Sequence, residues 1–249
     1  MQRMTYDPSR YLDPMVLNPL GQERFQFFYS VKRIVDVFCA LIFLVFFFPL
    51  IVLIALSIKL DSPGPVIFSQ KRVGAKRFWN GDSAFWKRVD FTCYKFRTMY
   101  HNADSDLHKK YITAFIHNDH SRMKQVQGKE TNDFKLLNDP RVTRVGKFLR
   151  KYSLDEIPQF WNVIKGDMSL VGPRPEMPYT VQQFEPWHYE RLNALPGITG
   201  LWQVKGRSRV TFDEMIRMDI EYTRIHSLWL DFKIMLLTIP AVLSTRGAK

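Results

Sequence analysis

The densest run of chemically capable side chains is Arg150-Lys151-Tyr152-Ser153-Leu154-Asp155-Glu156-Ile157-Pro158. Carboxylates next to cations stay ionised, because a nearby opposite charge favours the charged form. An ionised carboxylate placed this way can act as a nucleophile or hold a divalent cation. A plainer pattern fits the same residues: Ser153-x-x-Glu156 has the form of a capping box, and acids favour the first turn of a helix. The two are compatible, since a cap can also position a catalytic group. Pro173-Arg174-Pro175 is the second feature. Pro173 fixes its own φ and Pro175 pushes Arg174 towards extended backbone, so the guanidinium is pre-aimed in the way that bidentate phosphate binding needs. A surface turn accounts for the tripeptide as readily. Lys95 and Arg97, two apart on a strand-like run, are expected to project to one face as a second cationic pair.

Other chemistries lack their residues. There is no glycine-rich P-loop, GxGxxG, HExxH or GxSxG. His117 and His120 have a ligand-like spacing, but they sit in a polar stretch and read as surface histidines. Two cysteines, Cys39 and Cys93, are too few for a disulfide framework or a cysteine-rich zinc site.

The elements that must position these groups begin with a run from Val37 to Ile58 that carries no charge over 22 residues. A straight helix of that length would cover ~33 Å, enough for a bilayer core. The run is too long and too far from the start for a secretory signal, and no small-residue cleavage site follows it. It reads as a retained membrane helix. Pro49 leaves 12 residues before it and 9 after. An interior proline removes one helical hydrogen bond and clashes with the preceding turn, so a kink is expected. The kinked helix either spans or turns back at Pro49 without crossing. Lys32 and Arg33 precede the run, and Lys59, Lys71, Arg72, Lys76 and Arg77 follow it. Both flanks are thus basic, whereas the excess of Lys and Arg belongs on the cytoplasmic side.

The chain divides into a polar arm over 1–30, the membrane helix over 31–60 and a cytoplasmic domain over 61–249. Val66–Gln70 and Phe91–Phe96 are expected as two strands joined by a basic loop at 71–90. Residues 101–138 read as a polar insertion. Helical patterns cover Thr143–Arg150, Asp155–Lys165, Phe212–Ile225 and Leu228–Leu243, the last being either an interfacial amphipathic helix or an ordinary core helix. The fold class is therefore α/β and helix-rich, with a small β element. The composition agrees with a folded chain, at 46 % hydrophobic and 14 % aromatic residues. A mean hydropathy of −0.21 argues against a multi-span membrane protein. The net charge of +12 comes from residues scattered along the chain and adjoining a lipid anchor, which fits anionic headgroups better than nucleic acid.

Together, the apolar helix with a central proline, YKFRTM at 94–99, LRKYSLDEIPQFWNVIKGDMSLVGPRP at 149–175 and PGITGLWQVKGR at 196–207 closely resemble the bacterial sugar transferases. These are monotopic polyprenyl-phosphate phosphoglycosyl transferases. The resemblance runs from about Lys32 to the C-terminus and implies the compact, single-hairpin form. It places the family's acidic dyad on Asp155 and Glu156, the first as nucleophile towards the sugar-bearing phosphate of a UDP-sugar and the second as Mg²⁺ ligand. It implies a covalent phosphosugar-enzyme, release of UMP, and attack by polyprenyl phosphate to give polyprenyl-diphosphate sugar.

Lys95, Arg97, Arg150 and Arg174 are expected to bind phosphate or line the site. The family's helix break at Ser-Pro falls on Phe48-Pro49, which lacks the serine hydroxyl. The implied place is the bacterial inner membrane, with the catalytic domain facing the cytoplasm, at the first membrane step of surface polysaccharide assembly. The donor sugar is unspecified, and a homodimer stays open as an assembly. A non-catalytic membrane-surface scaffold is the competing reading, and it leaves Asp155-Glu156 and Pro173-Arg174-Pro175 unexplained.

Overall fold

The computed structural model describes residues 19–80, 83–102, 106–127, 139–206 and 210–244. Helix α1 runs from Pro19 to Phe46, so it begins inside the stretch read as a polar arm; residues 1–18 of that arm lie outside the described residues. Phe47 interrupts the helix, and α2 continues over Phe48–Asp61 with Pro49 in its first turn. Proline suits that place because its missing N–H would have no partner there anyway. The two segments meet at a bend of 63°. No single described helix is long and apolar enough to cross a membrane; the bent pair meets that test together.

Strands β1 (Ile67–Asn80) and β2 (Ser83–Phe96) form one antiparallel ribbon of 14 residues per strand. The stretch expected as a basic loop at 71–90 is therefore mostly strand. Cross-strand pairs such as Val73 with Asp90 and Phe78 with Phe85 continue far beyond the apolar ends. Lys and Arg doublets hide the ribbon in the sequence, because a two-stranded ribbon needs apolar residues only where it meets the core.

Helices α3 (Asp106–Ile116) and α4 (His120–Gln127) occupy the segment read as an insertion. They belong to the core: Tyr111, Ile112, Phe115 and Met123 are buried with Val73, Phe184, Phe212 and Ile216. Residues 128–138 of that segment lie outside the described residues. His117 and His120 are exposed, as the sequence suggests.

Helix α5 (Arg144–Lys151) is capped by Thr143, whose hydroxyl accepts from Gly146 N at 3.0 Å. Then follow a 3₁₀ turn at Leu154–Glu156, α6 (Gln159–Lys165), β3 (Ser169–Val171), α7 (Pro178–Val181), a 3₁₀ turn at Pro186–Leu192, β4 (Gly197–Thr199) and α8 (Leu201–Lys205). The last two helices among the described residues are α9 (Phe212–Ile225) and α10 (Leu228–Leu243), whose bounds agree with the sequence reading. Strands β3 and β4 pair in parallel. Gly172 and Gly197 are needed there, because a Cβ on Gly172 would come within 2.2 Å of Leu195 O and one on Gly197 within 2.1 Å of Gly172 N.

Both ends of the α1–α2 elbow are tied to the same body. Near the start, Lys32 Nζ pairs with Asp231 of α10 at 2.5 Å and donates to Val171 O at 3.2 Å. Arg33 donates to the carbonyls of Val163 and Ile164 in α6. At the far end, Asp61 accepts from Val145 N at 3.2 Å, and Ile54 and Ile58 pack with Phe96, Leu149 and Ile157. The outer sides of the elbow remain apolar and exposed, with Phe38, Ile42, Val45, Phe48, Leu53 and Leu56 among them.

Candidate active site

The acidic pair sits in a turn between two helices rather than at a helix start. Ser153 adopts φ 54°, ψ 22°, and its side chain caps nothing. The expected capping box at Ser153–Glu156 is therefore absent; α9 has one instead, between Thr211 and Glu214. A left-handed residue without glycine is strained by about 1–3 kcal/mol. It lets the chain reverse within two residues of α5 and present Asp155 and Glu156 side by side.

Three elements converge on that turn. Lys95, near the end of β2, places Nζ 2.9 Å from Oε1 of Glu156 and 4.0 Å from Oδ2 of Asp155. Arg174, on the extended segment after β3, places Nη2 2.8 Å from the same Glu156 oxygen. Arg150, in the last turn of α5, donates from Nε to Thr98 Oγ1 at 2.9 Å, and the charges of Asp155 and Asp139 act on its guanidinium. Burial alone would raise the Glu156 carboxyl, but Arg174 and Lys95 outweigh it and hold the group well below the usual carboxylate range. Burial works against the charge of Arg174, and Glu156 more than compensates, so Arg174 stays charged.

The register of these parts is set by residues that the sequence did not single out. Asn162 in α6 is fully buried; its amide donates to Thr92 O at 2.7 Å and its oxygen accepts from Tyr94 N at 3.0 Å. A side-chain amide thus supplies the missing ladder partner of β2 and fixes α6 against the strand that carries Lys95. Gly146 rests on Thr98, where a Cβ would come 2.1 Å from Thr98 O. That close approach holds α5, and with it Arg150, against the end of β2. Arg72 of β1 is a further cation near Arg174; it donates to Pro175 O at 3.2 Å and Gln70 Oε1 at 2.9 Å.

One expected site residue lies elsewhere. Arg97 is buried, and its guanidinium donates to the carbonyls of Pro63, Ser62 and Ile58 at the end of α2. It satisfies carbonyls that a helix terminus leaves without partners. Its backbone still pairs with the residue before β1, Arg97 N donating to Val66 O at 2.9 Å, but the carbonyls after α2 take its guanidinium away from Lys95. Lys151 is exposed and lies over the Tyr152 ring rather than in the site.

Mg²⁺ fits these donors. The ion takes oxygen ligands and is held by one or two carboxylates together with waters and substrate phosphates. Oε1 of Glu156 is engaged by Lys95 and Arg174, while Oε2 accepts no hydrogen bond among the described residues. Among those residues no group of three or more His, Cys, Asp or Glu is placed to hold an ion.

A half-buried carboxylate pair beneath three guanidinium or ammonium groups is suited to phosphorus chemistry. The family model of the bacterial sugar transferases matches residues 27–245. The chain belongs to that family. It is similar to the galactosyl transferase CpsE of Streptococcus agalactiae, with 43 % identity over 219 residues, covering 88 % of this chain and 43 % of that protein. It is also similar to an undecaprenyl-phosphate galactose phosphotransferase of Salmonella typhimurium, with 38 % identity over 218 residues, covering 88 % of this chain and 41 % of that one. With the exopolysaccharide production protein ExoY of Rhizobium meliloti the identity is 38 % over 218 residues, covering 87 % of each chain. The chain thus spans less than half the length of the first two relatives and most of the third.

Proposed function

We propose that this bacterial sugar transferase moves a sugar 1-phosphate from a UDP-sugar to polyprenyl phosphate, releasing UMP and starting the assembly of a surface polysaccharide. The observation that carries the reading is Asp155, held in a tight turn beside Glu156 with Lys95 at 4.0 Å and the Arg150 charge close by. Asp155 attacks the sugar-bearing phosphorus; the bond from that phosphorus to the bridging oxygen breaks, and UMP leaves. An oxygen of polyprenyl phosphate then attacks the same phosphorus, the aspartyl–phosphate bond breaks, and the Asp155 carboxylate is restored. Lys95, Arg150 and Arg174 offset the charge that gathers on phosphate oxygens when an anion attacks an anion. Glu156 would hold Mg²⁺, which when bound withdraws charge from the diphosphate. The printed names of the relatives, which include an undecaprenyl-phosphate galactose phosphotransferase, agree with this chemistry.

The α1–α2 elbow is proposed to dip into the bilayer and return, leaving the catalytic body on the cytoplasmic face of the inner membrane. Lys32 and Arg33 support this, because both bind the same body that receives Asp61 at the other end of the elbow. The outward apolar face of α10, with Trp229, Phe232, Leu236 and Ile239 exposed, suits a helix lying along the headgroups. Exposed Lys59, Lys147, Lys151 and Lys233 suit anionic lipid.

Purified protein given UDP-sugars, Mg²⁺ and undecaprenyl phosphate should release UMP and form lipid-linked sugar. Asp155→Asn should lower turnover at least ~10³-fold and form no phosphosugar adduct by intact mass; a fully active variant would sink the nucleophile assignment. With Cys39 and Cys93 replaced, cysteines at Gln26 and Lys151 should both resist a membrane-impermeant thiol label applied from outside. Labelling at 26 alone would establish a crossing.

A further inference from the structure

Arg174 reaches Glu156 from residues 172–175, a segment without helix or strand, so its aim depends on what holds that backbone. Four consecutive carbonyls are each taken by a different donor. Pro173 O accepts from Gly197 N at 2.9 Å, Arg174 O from Arg191 Nη2 at 2.8 Å, Pro175 O from Arg72 Nη1 at 3.2 Å and Glu176 O from Val73 N at 2.8 Å. Arg191 differs from the others. It reaches from the 3₁₀ turn at Pro186–Leu192, it is 2 % exposed, and its guanidinium also binds Oε1 of Glu176 at 3.2 Å and Oδ2 of Asp219 in α9. Asp219 is 0 % exposed. A charge buried behind the loop therefore touches the backbone of the residue that faces the site.

We propose that Arg191, fixed by Glu176 and Asp219, is the positioning residue that sets where Arg174 presents its guanidinium to Glu156 and to a phosphate. The inference rests on the transferase reading and deepens it. Packing alone does not call for this cluster, since apolar residues of similar volume are often as stabilising as a buried ion pair. Apolar residues, however, cannot donate to a backbone carbonyl. Lysine can donate, but its compact ammonium does not present a rigid planar fork to three acceptors at once. The prolines leave one freedom for that fork to remove. Pro173 sets its own φ and Pro175 confines Arg174 to extended backbone, yet within that region the φ of Arg174 keeps a range of about 80°. The Arg191 bond selects within that range. Sites that act on phosphate must hold their groups to a fraction of an ångström, and α9 and the 3₁₀ turn become the backing of the loop.

The test uses the full chain in detergent or nanodiscs. A triple variant, Arg191→Met, Asp219→Leu and Glu176→Gln, removes the cluster's charges together so that no buried ion is left unpaired. Its melting midpoint should stay near that of the wild type, while hydrogen exchange at the Val73 and Gly197 amides accelerates. UMP formation should fall about a hundredfold in kcat with a smaller change in KM, as a displacement of about 1 Å would cause. The same change placed on Arg174→Ala should cost nothing further, because Arg191 acts through Arg174. Arg191→Lys carries the same measurements if the triple variant does not fold. Wild-type exchange and turnover in a folded variant would overturn the proposal, as would a full additional loss on Arg174→Ala. A wild-type protein that releases no UMP would instead overturn the transferase reading, and the exchange rates would then decide whether Arg191 fixes the segment.

Discussion

Two lysines in this molecule each lie between two carboxylates, and their surroundings give them opposite roles. Lys32 is 2.5 Å from Asp231 and 3.8 Å from Asp36, with its side chain 6 % exposed. Lys95 is 2.9 Å from Glu156 and 4.0 Å from Asp155, with its side chain 18 % exposed. Around Lys32 the groups are shut away from water: Asp231 also accepts from Tyr222 at 2.7 Å, Oδ1 of Asp36 from Leu170 N at 3.2 Å, and Lys32 also donates to Val171 O. Oδ2 of Asp36 is buried and accepts no hydrogen bond among the described residues, with the Lys32 charge at 3.8 Å. Around Lys95, Oε2 of Glu156 accepts no hydrogen bond among the described residues, and water reaches the group. A closed trio is a rivet, and an open one is a site. Residue types alone do not tell them apart, nor does an acceptor left over, since each cluster keeps one; the access of water does.

This contrast can be broken most sharply at Lys32. Lys32→Met leaves two carboxylates buried without their cation and should destabilise the protein by about 3–5 kcal/mol, read as a lower thermal midpoint. Lys95→Met should do the reverse, lowering UMP formation about a hundredfold, the scale of one lost donor to a charged transition state. Its loss of stability should be smaller, because Arg174 still pairs with Glu156 and water reaches the group. If the two variants behave alike in both assays, the distinction fails.

The smallest effect concerns pH. Glu156 has a folded-state value depressed below its unfolded value of about 4.3, so it contributes stability that is complete above that pH and lost as pH falls towards the depressed value. In metal-free protein, Glu156→Gln should flatten the decline in thermal midpoint below about pH 4.3. An unchanged acid limb would show that Lys95 and Arg174 do not hold the carboxylate as described.

The parts of the fold legible in the sequence were those with a local signature. Phe212–Ile225 and Leu228–Leu243 carry a helical period, and so does most of α5. Pro49 marks the elbow, and the break occurs at Phe47 without any serine hydroxyl, because removal of the proline N–H is enough to end the ladder. The middle of the β ribbon was hidden because Lys71-Arg72, Lys76-Arg77 and Lys87-Arg88 erase the alternation that marks a half-buried strand. In α3 the apolar period was present in Tyr111, Ile112 and Phe115, but polar neighbours made the segment read as an insertion.

The acidic pair and Arg174 could be named in advance because proline and carboxylate chemistry is local. Asn162, Arg191 and Asp219 could not, since each acts on a partner distant in sequence: Asn162 lies 70 residues from Thr92, and Arg191 28 from Asp219. Arg97 was misplaced because its partners, the carbonyls of Ile58, Ser62 and Pro63, lie more than 30 residues away and make it the clasp at the end of α2.

A helix that crosses a bilayer can tilt to match a thicker or thinner membrane. The elbow described above has no such freedom, because Lys32 and Arg33 fix one limb and Asp61 with the Arg97 clasp fixes the other. If it dips and returns as proposed, its depth is a property of the protein rather than of the lipid. The acidic pair would then ride at a set height above one leaflet, and the opposite leaflet could change in composition or thickness without moving it.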